Sequence, residues 1–271
     1  MRVYLLKMIL CMVCLWPACA LGTDQPLVDY GRWGETQLEQ LIVRSQQFVD
    51  PGERIAELSR PFLGTPYVEG TMIGGPQTPE QLVINLAGVD CFTFLDLIEA
   101  LRRSAHGADL PERLRQVRYR NGRVDYSDRR HFFSDWVTDS DTMVADVTAD
   151  VGGGKTRNAA KQLNLKNDGT LWLPGIPVIR REVVYIPAEQ IDQALLSGLR
   201  TGDYAGIYTE RAGLDVSHVG LIVKSKEGVM FRHASSLKNV RQVVDVDLLE
   251  YLQGKPGLVV YRAFENHVEN L

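Results

Sequence analysis

Four cysteines occur in the 271 residues, and three of them, Cys11, Cys14 and Cys19, lie within the first 20. Those 20 residues have the layout of a secretory leader. Arg2 and Lys7 precede an apolar run from Met8 to Trp16, and the small residues Ala18 and Ala20 supply an A-x-A cleavage site. The run is too short for a stop-transfer span. Cleavage after Ala20 leaves Cys91 as the only thiol; lipoprotein-type processing before Cys19, with that residue lipidated, is the alternative. In either case the body from residue 21 to 271 holds no disulfide scaffold and no cysteine-rich zinc site, so a packed apolar core must hold it together. The expected location is periplasmic or secreted, with no integral membrane segment once the leader is gone.

Without Arg2 and Lys7 the body carries 28 basic against 34 acidic side chains. An acidic body with no long basic patch argues against nucleic acid as a partner, because phosphate contacts from Lys and Arg dominate that binding. No repeat or low-complexity tract is present.

Periodicity predicts helices over 35–48 and 53–63, a Gly/Pro-rich loop over 70–79 and a short strand over 81–86. Asp90 is an N-cap for a helix from Cys91 to about Ser104, whose apolar face carries Phe94, Leu95, Ile98 and Leu101. The middle, 110–177, reads as a central insertion with short strands near 117–119, a turn over 126–136 and a glycine break at 152–154. The last third is a run of strands at 182–186, 203–208, 216–224, 229–234, 241–244 and 258–264. A helix over 188–199 and a short one before the last strand interrupt it. Helices first and antiparallel strands afterwards make an α+β domain.

Cys91 stands at a helix start, where partial positive charge and unpaired N–H groups favour a thiolate. An imidazole beside it is needed for full activation. His218 lies in DVSHVGLIVK on the face shared with Gly220 and Ile222, and His233 lies in VMFRHASS on the next strand. A hairpin through Glu227-Gly228 sets the two histidines side by side, one as base to Cys91 and the other as its orienting partner. Taken singly, a buried cysteine is ordinarily a small hydrophobe and a strand histidine a hydrogen-bonded core residue. The nucleophile reading rests on the three together. His131, in RRHFFSDW, either lines a pocket with Tyr67 and Trp136 or caps a turn; His106 and His267 read as surface residues. The H-E-x-x-H spacing of a zinc site is absent, and Gly152 to Thr156 lacks the spacing of a phosphate loop. No metal or cofactor is expected.

The segments FLGTPYVEGT, LVINLAGVDCFTFLDLIEAL, RRHFFSDW, LRTGDYAGIYTE, LDVSHVGLIV and FRHASS, in this order, resemble the bacterial N-acetylmuramoyl-L-alanine amidase-like family of the NlpC-type papain-like cysteine hydrolases. The resemblance runs from Phe62 to Phe264, with 143–177 unmatched. It implies a papain-like fold in which the helix carrying the nucleophile packs on an antiparallel sheet carrying the histidines. Cys91 then matches the nucleophile, His218 the base and His233 the third polar position. Tyr67 and Asn85, flanking the nucleophile, and Ser217, beside the base, become substrate-binding candidates with His131. The implied reaction is hydrolysis of the amide between N-acetylmuramic acid and L-alanine, on intact wall or on soluble muropeptides. Relatives that cut the stem peptide make an endopeptidase the alternative. A non-catalytic muropeptide-binding module and a lipid acyltransferase on the same fold are further readings.

Overall fold

A computed structural model describes residues 25–138 and 144–264. The expected leader with Cys19, and His267, lie outside the described residues. The described part begins with a short strand, β1 (Leu27–Asp29), and two amphipathic helices, α1 (Glu35–Ser45) and α2 (Pro51–Ser59). Helix α2 starts where Pro51 presets the first turn and the Asp50 carboxylate accepts the Glu53 N–H at 2.9 Å. A small ladder, β2 (Ile73–Gly75) with β3 (Thr78–Gln81), replaces the loop expected over 70–79. Strand β4 (Val83–Asn85) then pairs in parallel with β1.

Helix α3 (Cys91–Arg103) is buried along nearly its whole length, and α4 (Leu110–Arg118) packs beside it. The strand expected near 117–119 is therefore wrong. Val117 and Tyr119 suit a strand locally, but Leu110, Leu114 and Val117 recur at helical spacing and are buried on one face.

The main sheet is antiparallel. Its members are β5 (Val144–Asp146), β6 (Arg157–Leu163), β7 (Ile179–Pro187), β8 (Tyr204–Tyr208), β9 (Val216–Ser225), β10 (Gly228–Ala234), β11 (Val243–Asp247) and β12 (Gly257–Ala263). They run in the order β11-β10-β9-β8-β12-β7-β6, with β5 on β12. Helix α5 (Thr148–Gly152) ends at the glycine break. The helix expected over 188–199 is split, because Asp192 breaks the chain and caps α6 (Gln193–Gly198) through the Leu195 N–H at 2.9 Å. Helix α7 (Leu248–Leu252) links β11 to β12.

Both faces of this sheet are covered, which is why its central strands read as nearly continuous apolar runs. Tyr204, Val219, Leu221, Val259 and Tyr261 face a layer built with Phe94, Leu97 and Trp136. Ile207, Ile222, Phe231, Leu258 and Val260 face a second layer with Leu195, Leu248 and Leu252. Buried charge fixes the helix on the first face. Glu99, fully buried in α3, pairs with Arg102 at 2.7 Å and accepts the Tyr204 hydroxyl at 2.6 Å. The Glu99–Arg102 pair lies within α3, so a slip of α3 along β8 would break the Tyr204–Glu99 bond and leave a buried hydroxyl without its acceptor.

Candidate active site

The start of α3 is held from both directions. Asp90 Oδ1 accepts the N–H groups of Phe92 at 3.0 Å and Thr93 at 2.7 Å, while the Thr93 hydroxyl accepts the Asp90 N–H at 2.9 Å. Just before it, Asn85 Oδ1 accepts the N–H groups of Ala87 and Gly88 at 2.9 and 3.0 Å. Asn85, expected at the substrate, thus spends its oxygen closing the turn that leads to Cys91. The segment 64–68 completes the frame. Its Gly64 and Tyr67 N–H groups donate to Val243 and Arg241 carbonyls, and its Val68 N–H donates to Val89. This ribbon ties the outer edge of β11 to the residue two before Cys91, and it carries Tyr67.

The two histidines are joined directly, His218 Nε2 to His233 Nδ1 at 2.7 Å. They are not opposite one another, as the side-by-side expectation had it. The hairpin pairs Ser225 with Gly228 and Leu221 with Arg232, a register that sets His233 across from Gly220 and diagonal to His218. A β-bulge at Ser217, where β9 shifts register against β8, accompanies this. Ser217 itself is exposed, next to His218.

Gly220 is required by this arrangement. A Cβ there would lie 2.6 Å from the Phe231 ring and 2.7 Å from the Arg232 carbonyl oxygen. Phe231 in turn stacks on His233, with centroids 4.9 Å apart and planes at 18°. Gly220→Ala should destabilise the protein by roughly 1–3 kcal/mol, the usual cost of overpacking, and lower activity through the displaced His233. An unchanged melting temperature would show that the ring yields without cost.

The thiol of Cys91 is half-buried and reaches β9 from the α3 side, where the Val219 N–H, next after His218, faces it. Among the described residues no hydrogen bond joins the thiol to either imidazole. Burial, reinforced by the Asp90 carboxylate, pushes the thiol up to about 12, against the pull of the Val219, Cys91 and Phe92 N–H groups. Burial and the Asp90 charge thus oppose the help toward a thiolate that the helix start provides. The N-cap that makes the helix also places a negative charge beside the sulfur. Burial likewise drives His218 down to about 3, helped by His233 and Lys255, and His233 down to about 4. These directions favour a neutral thiol beside neutral imidazoles over a thiolate–imidazolium pair. Alkylation of Cys91 by iodoacetamide should accordingly speed up about tenfold per pH unit from pH 7 to 10, following the thiolate fraction. A rate already level at pH 6 would instead reveal a preformed thiolate–imidazolium pair.

Two residues at the site were not singled out in the sequence, although Asp215 lies in the LDVSHVGLIV segment. Tyr251, on α7, lies with its ring 4.9 Å from His233 and 6.1 Å from His218. Asp215 is buried, accepting the Ser134 N–H with Oδ2 and the Val216 N–H with Oδ1, both at 2.7 Å. It clamps the RRHFFSDW segment to the start of the His218 strand. His131 belongs to that segment rather than to the thiol. Its Nε2 meets the Tyr126 carbonyl at 2.8 Å and its N–H donates to Asp135 at 3.0 Å. Among the described residues no group of His, Cys, Asp and Glu is arranged to hold a metal ion.

Comparisons with known proteins bear on the family and the fold. A family model described as N-acetylmuramoyl-L-alanine amidase-like matches residues 57–258. A Legionella pneumophila protein of known structure superposes with a TM-score of 0.68 at 22% identity, over 85% of this chain and 94% of its own. An N-acetylmuramoyl-L-alanine amidase of Bacteroides uniformis does so with a TM-score of 0.62 at 25% identity, over 76% of this chain and 96% of its own. A Bacteroides fragilis protein provisionally described as a xylanase has a TM-score of 0.61 at 26% identity, over 79% and 100%. No curated protein matches the sequence.

Proposed function

The chain belongs to the N-acetylmuramoyl-L-alanine amidase-like family, and from that premise we propose that it is a papain-like, NlpC-type cysteine amidase that opens the amide between N-acetylmuramic acid and L-alanine. The observation that carries this reading is the 2.7 Å bond from His218 Nε2 to His233 Nδ1. With His233 accepting at Nδ1, His218 holds its proton on Nε2 and keeps Nδ1 as a base for the thiol.

In this mechanism the substrate carbonyl settles over Cys91, and His218 Nδ1 removes the thiol proton as sulfur attacks. General-base transfer suits a site whose groups rest neutral, because it needs no standing thiolate in a buried place. The Cys91 N–H, at the first position of α3, donates to the developing oxyanion; one such donor is typically worth about 2.7–4 kcal/mol. The His218 imidazolium then protonates the leaving L-alanine nitrogen. Water, deprotonated by His218, resolves the thioester and frees the muramoyl carboxylate. His233 holds the His218 ring throughout. The leader over residues 1–20 would deliver the single domain of 21–271 to the periplasm or beyond, where peptidoglycan fragments are met. The xylanase description of the Bacteroides fragilis neighbour is not carried over, since the groups that converge here are a thiol and imidazoles rather than the paired carboxylates of glycoside hydrolysis.

The test is a digest of purified muropeptides resolved by mass spectrometry. Release of the intact stem peptide supports the amidase. A shortened stem peptide keeps the mechanism but moves the bond to the endopeptidase position. Binding without products would make the protein a muropeptide-binding module.

A further inference from the structure

Each of the two tyrosines within electrostatic range of the Cys91 thiol carries a cation on its ring. The Arg241 guanidinium lies 4.6 Å from the Tyr67 ring centre, and the Lys255 ammonium lies 5.5 Å from that of Tyr251. The two pairs come from different parts of the chain. Tyr67 rides on the ribbon outside β11 and is braced by Arg241, whose guanidinium also donates to the Tyr67 carbonyl at 3.1 Å. Tyr251 rides on α7 against β10, with Lys255 in the turn that follows.

The neighbouring carboxylates are spent elsewhere. Asp90 caps α3, Asp245 pairs with Arg232 at 2.7 Å, and Asp247 caps α7 through the Glu250 N–H at 2.9 Å. Only Glu69, well exposed, approaches Arg241, at 4.0 Å, and Lys255 makes no ion pair among the described residues. An acidic protein thus presents two weakly compensated cations, each steadied on the ring of a tyrosine that neighbours its thiol.

The geometry points to Arg241 and Lys255 as the groups that recognise a carboxylate on the peptide side of the scissile amide, so that the enzyme takes anionic muropeptides in preference to their amidated forms. This rests on the amidase reading for the identity of the bond. It does not rest on it for the charge preference, which binding alone reveals. A cation held against a ring has lost part of its conformational freedom already and is aimed, so that a carboxylate gains a charge-assisted hydrogen bond at reduced entropic cost.

The experiment compares N-acetylmuramoyl-L-alanyl-D-isoglutamate with its α-amide, which differ by one negative charge. Titration calorimetry on the Cys91→Ala protein should show the free acid binding about tenfold or more tightly, a gap that narrows as salt is raised. Adding Arg241→Gln or Lys255→Gln should bring the ratio toward one. Adding Arg44→Gln, which removes a cation paired with Glu57 far along the helical layer, should leave it intact. Equal affinity for the two compounds, no binding of either, or a preference that survives both substitutions would overturn the proposal. Loss of preference in Arg44→Gln would also overturn it, by showing an effect of net charge. Incubating both compounds with the unmodified protein separates the two readings. Selective binding without any cleavage would sink the amidase and leave the anion site standing, whereas cleavage with equal binding would do the reverse.

Discussion

Replacing Cys91 with alanine is expected to abolish turnover, a loss on the order of 10⁶ in kcat as for removal of the nucleophile in other acyl-transfer triads. No other group at the site can take its place. His218 and His233 are tied to one another, and Ser217, the bulge residue, is exposed with its hydroxyl toward the Ile207 carbonyl at 3.4 Å. The fold should be untouched, because Cys91 is half-buried and the helix start is held by Asp90 and Thr93 rather than by the thiol. Melting within about 1 kcal/mol of the parent protein is expected for such a change. A folded Cys91→Ala protein that still releases stem peptide would end the mechanism.

His218→Ala should cost nearly as much, about 10⁴-fold or more in kcat, since it removes both the base for the thiol and the acid for the leaving amine. His233→Asn should be milder, one or two orders of magnitude, because an amide oxygen can still accept the His218 Nε2 proton and orient the ring. Total loss in His233→Asn would mean that His233 itself moves a proton. The pH dependence separates the roles further. In the proposed mechanism His218 acts as a neutral base, and burial holds it down to about 3, so kcat/KM should persist as pH falls from 7 toward 5. Stability behaves oppositely. Below pH 6.5 the unfolded chain protonates both histidines while the folded chain resists, so stability is full above pH 6.5 and falls toward pH 4. His233→Asn should lessen that fall by up to about 1.4 kcal/mol per pH unit. An unchanged acid slope would show that His233 is protonated as readily in the folded protein as in the unfolded one.

Helix α3 and its cap were legible because their signals are local. Asp90 precedes a helix whose apolar residues recur on one side, and Thr93 is placed to return the N-cap bond. The β8, β9 and β10 strands were legible for a similar reason, through alternation and turn residues at their ends. The elements that failed are those in which local preference and packing disagree. The end of α4 looks like a strand until its burial against α3 is known. Strand β6 is mostly polar and partly exposed along its length, so nothing in Arg157–Leu163 announces a ladder before β7 lies beside it.

The site divides along the same line. The sequence by itself placed the groups of the proposed site: a thiol at a helix start, the one thiol among the described residues, and two histidines on adjacent strands. Tertiary structure decided how those groups stand. The diagonal register that joins His218 to His233 depends on Gly220 admitting the Phe231 ring. Tyr251 enters only because α7 folds back on β10, and Asp215 matters only because Ser134 comes to it. The neutral resting thiol follows from burial and from the Asp90 charge acting together. Residue type and spacing are carried by the chain, whereas protonation and the choice of neighbours depend on burial and on charges that residues distant in sequence bring together.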